Sequence, residues 1–443
     1  MLGNVRSMKT AAELALADAF VAAQPTLPGD GKIAAWRQEA FARFSDLGLP
    51  HRRVEAWRYT DLRSLLRDVK PLANPPSAEA KARAAGAGSI LGNLECRRLV
   101  FVDGSFVPEL SDLVALEPGL AIQSMASALT AGDPVTVSHL GRVFPVRDAA
   151  LEINAALMGD GIIVRVAANT VLKRPLHVVF ATVAEAPAAM FVRSLMIVER
   201  GARVQLFESH QGSDSSAYQV NVALELVIGE GASVEHVKIV DESGAAFHVA
   251  SLLATLGAGA ALDDFAFIRG GAVVRNQLFL RLAGECAVAA IRGANLLSGR
   301  QHVDSTLVVD HVVGHCETRE LFKSVLDGEA HGVFQGKIIV QPNAQKSDAK
   351  MMSRALLLSE RAEAIHKPEL EIFADDVQCG HGATTGALDE DLKFYLMARG
   401  IPAKEAEALL IAAFIAEPID AIADEGVRTA LLDAAAAWLR KRG

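Results

Sequence analysis

A cysteine and a histidine stand two residues apart in the run Cys379-Gly-His381-Gly of this sequence. In an extended segment, residues two apart lie on the same side, so a thiol and an imidazole would face one partner. Both groups are metal ligands, and imidazole also transfers protons near neutral pH. The neighbouring glycines allow another chain to approach closely. The pattern predicts a metal-binding or proton-transfer site at Cys379 and His381; a buried turn with a hydrogen-bonded histidine is the alternative.

The other cysteines are far apart in sequence and form no CxxC pair. Cys286 and Cys316 fall at a repeated turn position that is alanine in other copies of the repeat (Ala202, Ala232 and Ala260). We therefore expect both to be small buried turn residues and a Cys286→Ala substitution to be nearly silent. His311 and His315 are expected to share one face of a strand, with Cys316 facing the other way.

Signatures of common enzymes are missing from the sequence. The run from Gly332 to Lys337 has one residue too few for a phosphate loop and lacks its Ser or Thr, and neither GxSxG nor HExxH occurs. Asp375 and Asp376 are adjacent, and adjacent strand residues point to opposite faces, so they cannot act together on one substrate atom. We predict that the chain is not an enzyme.

Composition and charge limit the classes of function. Hydrophobic residues make up 51% of the 443 residues, which is enough for a large core, and the formal net charge of −9 argues against nucleic acid or an anionic membrane as a partner. No apolar run reaches the roughly 20 residues of a membrane span. Glu13 and Asp18 interrupt the apolar stretch where a secretory signal would be uncharged, so we expect a cytoplasmic protein with free thiols.

A repeat positions the candidate residues. Small-residue turns recur at positions 201, 231, 259, 285 and 315, flanked by short runs rich in Val, Ile and Leu. Spacings of this size, with strands on both sides of each turn and no long helix between them, favour a β-helix, whose coils bury their apolar faces by stacking. A β-sandwich is the alternative. Residues 96–386 are predicted to form this core.

Helical patterns flank the predicted core. Residues 1–95 are predicted to be a helical domain that ends in a linker, Asn74 to Gly88, rich in Ala, Pro and Lys. Residues 387–443 are predicted to be a helical segment, with an N-cap at Asp389 and a break at Pro418. Its exposed apolar face is predicted to bind a partner through four residues: Leu392, Leu396, Leu409 and Phe414.

Blocks along nearly the whole chain resemble motifs of the SufB/SufD family, in the family's order. They are Pro50 with Glu55–Leu62, Gln345–Lys350 with Leu356–Ser359, Lys367–Gly386, and Leu388–Glu390 with Phe394–Ile401. Ser353-Arg354-Ala355 holds no cysteine where SufB-type subunits carry one, and Gly380-His381-Gly382 stands where they carry a His-Glu pair. Both differences resemble the SufD type.

The resemblance implies the fold and a scaffold function in iron–sulfur cluster assembly. A right-handed parallel β-helix would pair with a SufB-type subunit, and the C-terminal helices would dock a SufC-type ATPase. His381 would lie at the SufB interface, with Cys379 beside it, and a transient cluster would be shared with SufB. No cluster would stay bound to the chain alone, for which a homodimer is allowed. The alternatives are a self-sufficient SufB-like scaffold and a β-helix carbohydrate-active enzyme, which would need clustered carboxylates.

Overall fold

The computed structural model describes residues 9–212 and 217–442. Its helices are α1 (Ala11–Ala23), α2 (Gly31–Leu47), α3 (Leu62–Leu65), α4 (Ala78–Ala84), α5 (Met125–Ala131), α6 (Pro134–His139), α7 (Ala149–Leu157), α8 (Glu390–Ala398), α9 (Ala403–Asp420) and α10 (Glu425–Arg442). Its strands are β1 (Arg97–Val102), β2 (Ser105–Phe106), β3 (Leu120–Ser124), β4 (Ile162–Val166), β5 (Leu176–Thr182), β6 (Ala189–Val198), β7 (Arg203–Gly212), β8 (Gln219–Ile228), β9 (Ser233–Asp241), β10 (Phe247–Leu256), β11 (Ala261–Ile268), β12 (Val273–Leu282), β13 (Val288–Leu297), β14 (His302–His311), β15 (Glu317–Leu326), β16 (His331–Val340), β17 (Asp348–Leu357), β18 (Glu363–Ile372) and β19 (Gln378–Gly386).

From β4 onward, consecutive strands alternate between two sheets. The ten-stranded sheet runs β19-β17-β15-β13-β11-β9-β7-β5-β1-β2, and the nine-stranded sheet runs β18-β16-β14-β12-β10-β8-β6-β4-β3. Strands from successive coils pair in parallel, whereas β2 and β3 pair antiparallel at the first end. The prediction of a mainly β protein with a parallel solenoid between N- and C-terminal helices is confirmed.

Stacked aliphatic side chains fill the space between the two sheets. In the nine-stranded sheet, Leu224 pairs with Leu252, Leu252 with Leu278, and Leu278 with Leu307, all of them buried. Because parallel strands stay in register, each inward residue lies directly over its counterpart in the next coil. A coil therefore buries its apolar face only when a neighbouring coil covers it.

The turns before the ten-stranded sheet form a hydrogen-bonded ladder. One residue per coil has a positive φ of about 60°, namely Gly201, Gly231, Gly259, Cys286, His315 and Lys346. The backbone N–H of each donates to a carbonyl of the next coil, with N···O distances between 2.6 and 3.5 Å. Glycine adopts this left-handed conformation without steric cost, which explains the glycine repeat seen in the sequence.

The register predicted for Cys286 is wrong by one residue. Cys286 occupies the left-handed position and is exposed, and Ala287 after it is the buried small residue. Cys316 is buried as predicted, with the turn position before it taken by His315. His315 is thus an exposed turn residue, and it does not share a strand face with His311, the last residue of β14. The substitution of glycine by other residues at this position hid the true register.

Helices from two parts of the chain cover the outer face of the nine-stranded sheet. α1 and α2 share a hydrophobic cluster with α7 and with Val249 of β10. A buried polar contact adds to it: the Arg275 guanidinium lies 3.9 Å from the centre of the Trp57 ring and pairs with Asp304. Helices α5 to α7 thus interrupt residues 96–386, which were predicted as β-helix, and the expected linker 74–88 contains α4, whose Ala80 and Ala84 are buried.

The C-terminal helices cover the outer face of the ten-stranded sheet. Isoleucines 411, 415 and 419 of α9 join one cluster with β-strand residues such as Phe207 and Phe265. Pro418 does not break α9, contrary to our prediction, but lies inside it. Proline lacks the N–H that would bond the carbonyl four residues earlier, and the buried Lys323 donates to that Phe414 carbonyl at 2.8 Å. A lysine of the sheet thus satisfies the carbonyl that the proline leaves free.

Among the described helices, no segment is both long and apolar enough to cross a membrane.

Candidate functional site

The Cys379–His381 pair lies on β19, the last strand of the ten-stranded sheet. Cys379 pairs with Ala349 of β17, and His381 pairs with Met351; both partners are buried on the inner side of the sheet. Because the pair is two residues apart on one strand, both side chains project to that side. Cys379 is half-buried against the solenoid core, whereas His381 is exposed. A thiol and an imidazole therefore stand together where the last coil is uncovered.

A groove of about 600 Å³ runs beside this pair. Its wall includes three basic residues, all of them ion-paired: Arg292 with Asp263 and Arg319 with Asp348, each at 2.6 Å, and Lys350 with Asp348 at 3.8 Å. Burial raises the pKa of the Cys379 thiol, and the nearby Asp348 adds to this effect. The thiol is therefore protonated at neutral pH, and it would need a metal ion or a partner's positive charge to act as a thiolate.

A buried carboxyl group next to the groove escaped the sequence analysis. Glu320 of β15 pairs with Met351 in the same row that ends at His381, and it also lines the groove. Neither of its carboxyl oxygens has a hydrogen-bond partner among the described residues. Burial raises the pKa of Glu320 to about 8. The group is thus mostly protonated at pH 7 and can donate a proton.

The sequence contains only a weak signal for Glu320. Thr318, Glu320 and Phe322 are the alternating inward residues of β15. A glutamate at such a position cannot be told from an exposed glutamate until the strand register is known.

The Ser353 position also faces the solenoid interior. Its hydroxyl lies 2.8 Å from Nδ1 of His366 on β18, and Nε2 of His366 lies 3.1 Å from the Thr385 hydroxyl. Burial lowers the pKa of His366, so its ring is neutral at pH 7. The stretch that resembles the cysteine-bearing segment of SufB-type subunits thus holds a hydrogen-bonded serine, which is a far weaker nucleophile and metal ligand than a thiolate.

The other chemical candidates from the sequence are dispersed. The Cys316 thiol donates to the Gly284 carbonyl at 3.4 Å, and burial raises its pKa. His311 contacts the Thr318 hydroxyl through Nε2 at 3.1 Å. Asp375 and Asp376 lie in the turn between β18 and β19, where Asp376 pairs with Lys346. Cys316, His311 and Asp376 thus have structural partners of their own and do not join Cys379 and His381.

The four apolar residues predicted to bind a partner differ in exposure. Leu392 of α8 and Leu409 of α9 are 51% and 47% exposed, and Leu396 is half-buried. Phe414 packs inward, with its ring centre 4.4 Å from the Lys323 ammonium group. Helix α8 has no buried residue and also exposes Phe394, Tyr395 and Met397, so it presents the larger apolar surface.

Comparison with known proteins gives two family matches. The model described as SUF system FeS cluster assembly, SufBD core domain, matches residues 180–414, and the SufBD protein N-terminal region matches residues 29–178. The two matches together cover the N-terminal helices from α2 onward, the solenoid and the start of the C-terminal helices, whereas α1 lies outside both.

Curated relatives align along most of the chain. An iron–sulfur cluster assembly SufBD family protein of Synechocystis is 33% identical over 404 residues, covering 89% of this chain and 88% of the relative. The iron–sulfur cluster assembly protein SufD of Escherichia coli is 29% identical over 392 residues, covering 87% and 88%. SufD of Bacillus subtilis is 27% identical over 282 residues, covering 63% and 64%. The chain belongs to the SufB/SufD family of iron–sulfur cluster assembly proteins.

Proposed function

We propose that this chain is a non-catalytic, SufD-type scaffold subunit in the cytoplasm, which pairs with a SufB-type subunit and docks a SufC-type ATPase. SufC would hydrolyse ATP, and SufB would supply the main sulfur-accepting cysteine. Two of the relatives that align with the chain are SufD proteins. The hydrogen-bonded Ser353, in place of a cysteine, supports the SufD type over a self-sufficient SufB-like scaffold.

The open last coil is the observation that carries the proposed pairing with SufB. Within residues 9–212 and 217–442, β18 and β19 each pair with a single strand, so each has a free backbone edge. Phe373, just after β18, is 60% exposed. Free edges with apolar residues beside them are suited to pairing with strands of another chain. A SufB-type solenoid that added its strands here would cover both sheets.

The iron–sulfur cluster would be the cargo of this interface. Cys379 and His381 offer two ligands, whereas a cluster needs four. The partner would therefore supply the others, and the chain alone would hold no stable cluster. Glu320 lies two strands before His381 in the same inward row, separated from it by Met351, and offers a protonated carboxyl group near the site.

The C-terminal surface would dock the ATPase. Exposed apolar side chains on α8, together with Leu409 of α9, form a patch on the outside of the molecule. Deleting everything after residue 388 is not a clean test, because α9 and α10 share a core with the ten-stranded sheet. Leu392→Glu with Leu409→Glu is a better test, and it should remove SufC binding while SufB binding persists.

The central test replaces His381 in the assembled complex. His381→Ala should leave folding and assembly with SufB and SufC intact, because the side chain is exposed, yet it should abolish cluster formation in cells. Iron and acid-labile sulfide in the anaerobically purified complex are the measurements, with His315→Ala as the matched exposed control. Unchanged iron and sulfide would exclude His381 from the assembly site.

A second test addresses the pairing surface. Phe373→Glu should weaken co-purification with SufB, whereas Val114→Glu, at an exposed valine between β2 and β3, should not. Equal SufB recovery from both variants would place the interface elsewhere. A chain that holds stoichiometric iron and sulfide when purified alone would favour the self-sufficient scaffold.

A further inference from the structure

Three buried side chains with metal-binding groups meet inside the solenoid, far from the last coil. His210 lies on β7, Glu242 in the turn after β9, and His248 near the start of β10. One potential ligand atom from each lies within 4.8 Å of the others. His210 and His248 are almost completely inaccessible to solvent, and Glu242 is buried. The cluster joins both sheets, since β7 belongs to one and β10 to the other.

The two histidines lack hydrogen-bond partners for most of their ring nitrogens. Among the described residues, neither Nδ1 nor Nε2 of His210 has a partner, and Nε2 of His248 has none. Buried polar atoms are nearly always paired, because an unpaired one loses its hydration without compensation. Three unpaired nitrogens beside one carboxylate therefore indicate a missing ligand.

Packing fixes the two rings. The Phe180 ring stacks on His210 with 4.4 Å between ring centres, and His248 meets His210 edge-on at 4.9 Å. Both rings are thus held in place while their unpaired nitrogens remain close to the Glu242 carboxyl group.

The carboxylate is held by a second layer of contacts. One Glu242 oxygen lies 3.1 Å from Nδ1 of His248, and the other accepts the Tyr218 hydroxyl hydrogen. The Tyr218 oxygen accepts in turn from the Ser243 backbone N–H at 3.0 Å. Such outer contacts orient metal-binding carboxylates in known sites.

We propose that His210, Glu242 and His248 bind one divalent transition-metal ion of the zinc and ferrous class. Two imidazoles and one carboxylate are a donor set that suits both ions. Ligand atoms around a tetrahedral ion lie roughly 3.4 Å apart, given metal–nitrogen bonds of about 2.0–2.1 Å. The side chains would therefore close in on the ion.

This ion would be distinct from the cluster that the family assembles. Six strand-to-strand steps separate β7 from β19 in the ten-stranded sheet, or about 29 Å at ~4.8 Å per step. A resident ion here would tie the two sheets together within the early coils.

Metal binding to the full chain tests this proposal directly. The protein is stripped with a chelator and titrated anaerobically with Co²⁺, whose visible absorption reports on coordination, followed by competition with Zn²⁺ and with Fe²⁺. One Co²⁺ per chain should bind with bands in the visible region, and the preferred native ion should displace it. The melting temperature should rise by about 3 °C when the ion is in excess.

Two variants and two controls make the test decisive. His210→Phe keeps a ring against Phe180 but removes both nitrogens, and Glu242→Gln keeps the shape of the side chain. Each should lower the affinity for Co²⁺ by roughly 100-fold or more, since even outer contacts are worth 10–100-fold. His210→Phe should melt no lower than the metal-free parent. His311→Ala and His315→Ala should bind Co²⁺ like the parent.

Two results would overturn the proposal. One is a parent chain that binds no Co²⁺, Zn²⁺ or Fe²⁺ and shows no change in melting temperature. The other is binding that His210→Phe leaves unchanged while His381→Ala removes it, because the ion would then belong to the last coil.

Discussion

The middle coils and the last coil of the solenoid are built from strands of the same length but differ in what covers them. β14 and β18 both have ten residues and parallel neighbours, yet most of β14 is buried and no residue of β18 is fully buried. One neighbouring strand is thus enough to maintain the extended backbone, whereas burial of the side chains requires a neighbour on both sides. The last coil has the structure of an interior element without the covering that an interior element requires, which is the expected property of a binding surface.

The largest contrast is expected between two inward glutamates. Glu208, in an early coil, contacts His236 at 3.2 Å and Lys238 at 3.7 Å; burial alone would raise its pKa, but these positive groups lower it. Glu320 has no such partner, and its pKa is raised to about 8. Glu208 therefore stabilises the fold above its unfolded pKa of about 4.5. Glu320 contributes fully only below that pH, and its contribution is lost as the pH rises towards 8.

Substitution by glutamine should change the free energy of unfolding in opposite directions at Glu320 and Glu208. At pH 8, Glu320→Gln should raise the free energy of unfolding, by an amount on the order of 4 kcal/mol that vanishes near pH 4.5. Glu208→Gln should lower it across the same range, because His236 and Lys238 lose a counter-charge. Chemical denaturation from pH 4.5 to pH 8 is the measurement, with the exposed Glu317→Gln as a control near zero. A pH-independent effect of Glu320→Gln would mean that the buried carboxyl is ionised or solvated.

A matched pair of leucines tests the packing difference. Leu280 in β12 and Leu370 in β18 belong to one inward row, linked through Val309 and Ile338. Leu280→Ala should cost about 3 kcal/mol of unfolding free energy, because it leaves a cavity between covered coils. Leu370→Ala should cost about 1 kcal/mol in the isolated chain, because that side chain is only half-buried.

The same pair gives a direct test of covering. If a SufB-type partner covers the last coil, Leu370→Ala should lower the melting temperature more in the complex than in the isolated chain. Equal losses in both states would mean that the last coil stays uncovered.

The smallest effects are expected at the two turn cysteines. Cys316→Ala should cost about 1 kcal/mol, because the buried thiol packs in the core and donates to a carbonyl. Cys286→Ala should change the stability by less than about 0.5 kcal/mol, since the side chain is exposed. Cys286→Gly should gain roughly 0.5 kcal/mol, because glycine accepts the positive φ of 59°. If Cys286→Gly instead lowered the free energy of unfolding, the Cys286 side chain would have to make a stabilising contact.

The sequence predicts those features that are local or repeated. Glycine turns and aliphatic runs reveal the solenoid, and capping residues such as Asp389 reveal helix starts, as its hydrogen bond to the Leu392 N–H confirms. Patterns fail where a tertiary contact replaces a local one. Lys323 lets Pro418 stay inside α9, and left-handed Cys286 shifts the repeat by one residue. Neither effect can be read without knowing which residues meet across coils.

Fewer residues of the candidate site than of the fold could be predicted from the sequence. Spacing alone predicted that Cys379 and His381 project to one side, and the strand β19 agrees with that geometry. Glu320 was missed because a buried carboxyl and an exposed one look the same in an alternating strand. The His210–Glu242–His248 cluster was missed because its members come from two strands and a turn whose contact depends on register.

The antiparallel strands at the first end of the solenoid have a consequence for assembly size. β2 and β3 reverse direction relative to their neighbours and finish the two sheets at that end, so a parallel coil can be added only beyond β18 and β19. A subunit with a single joining end has a valency of one. Two such subunits that meet end to end use up both joining ends, and growth stops at the pair. If the last coil binds a partner as we propose, the same architecture limits the assembly to a pair and prevents polymerisation into a fibre.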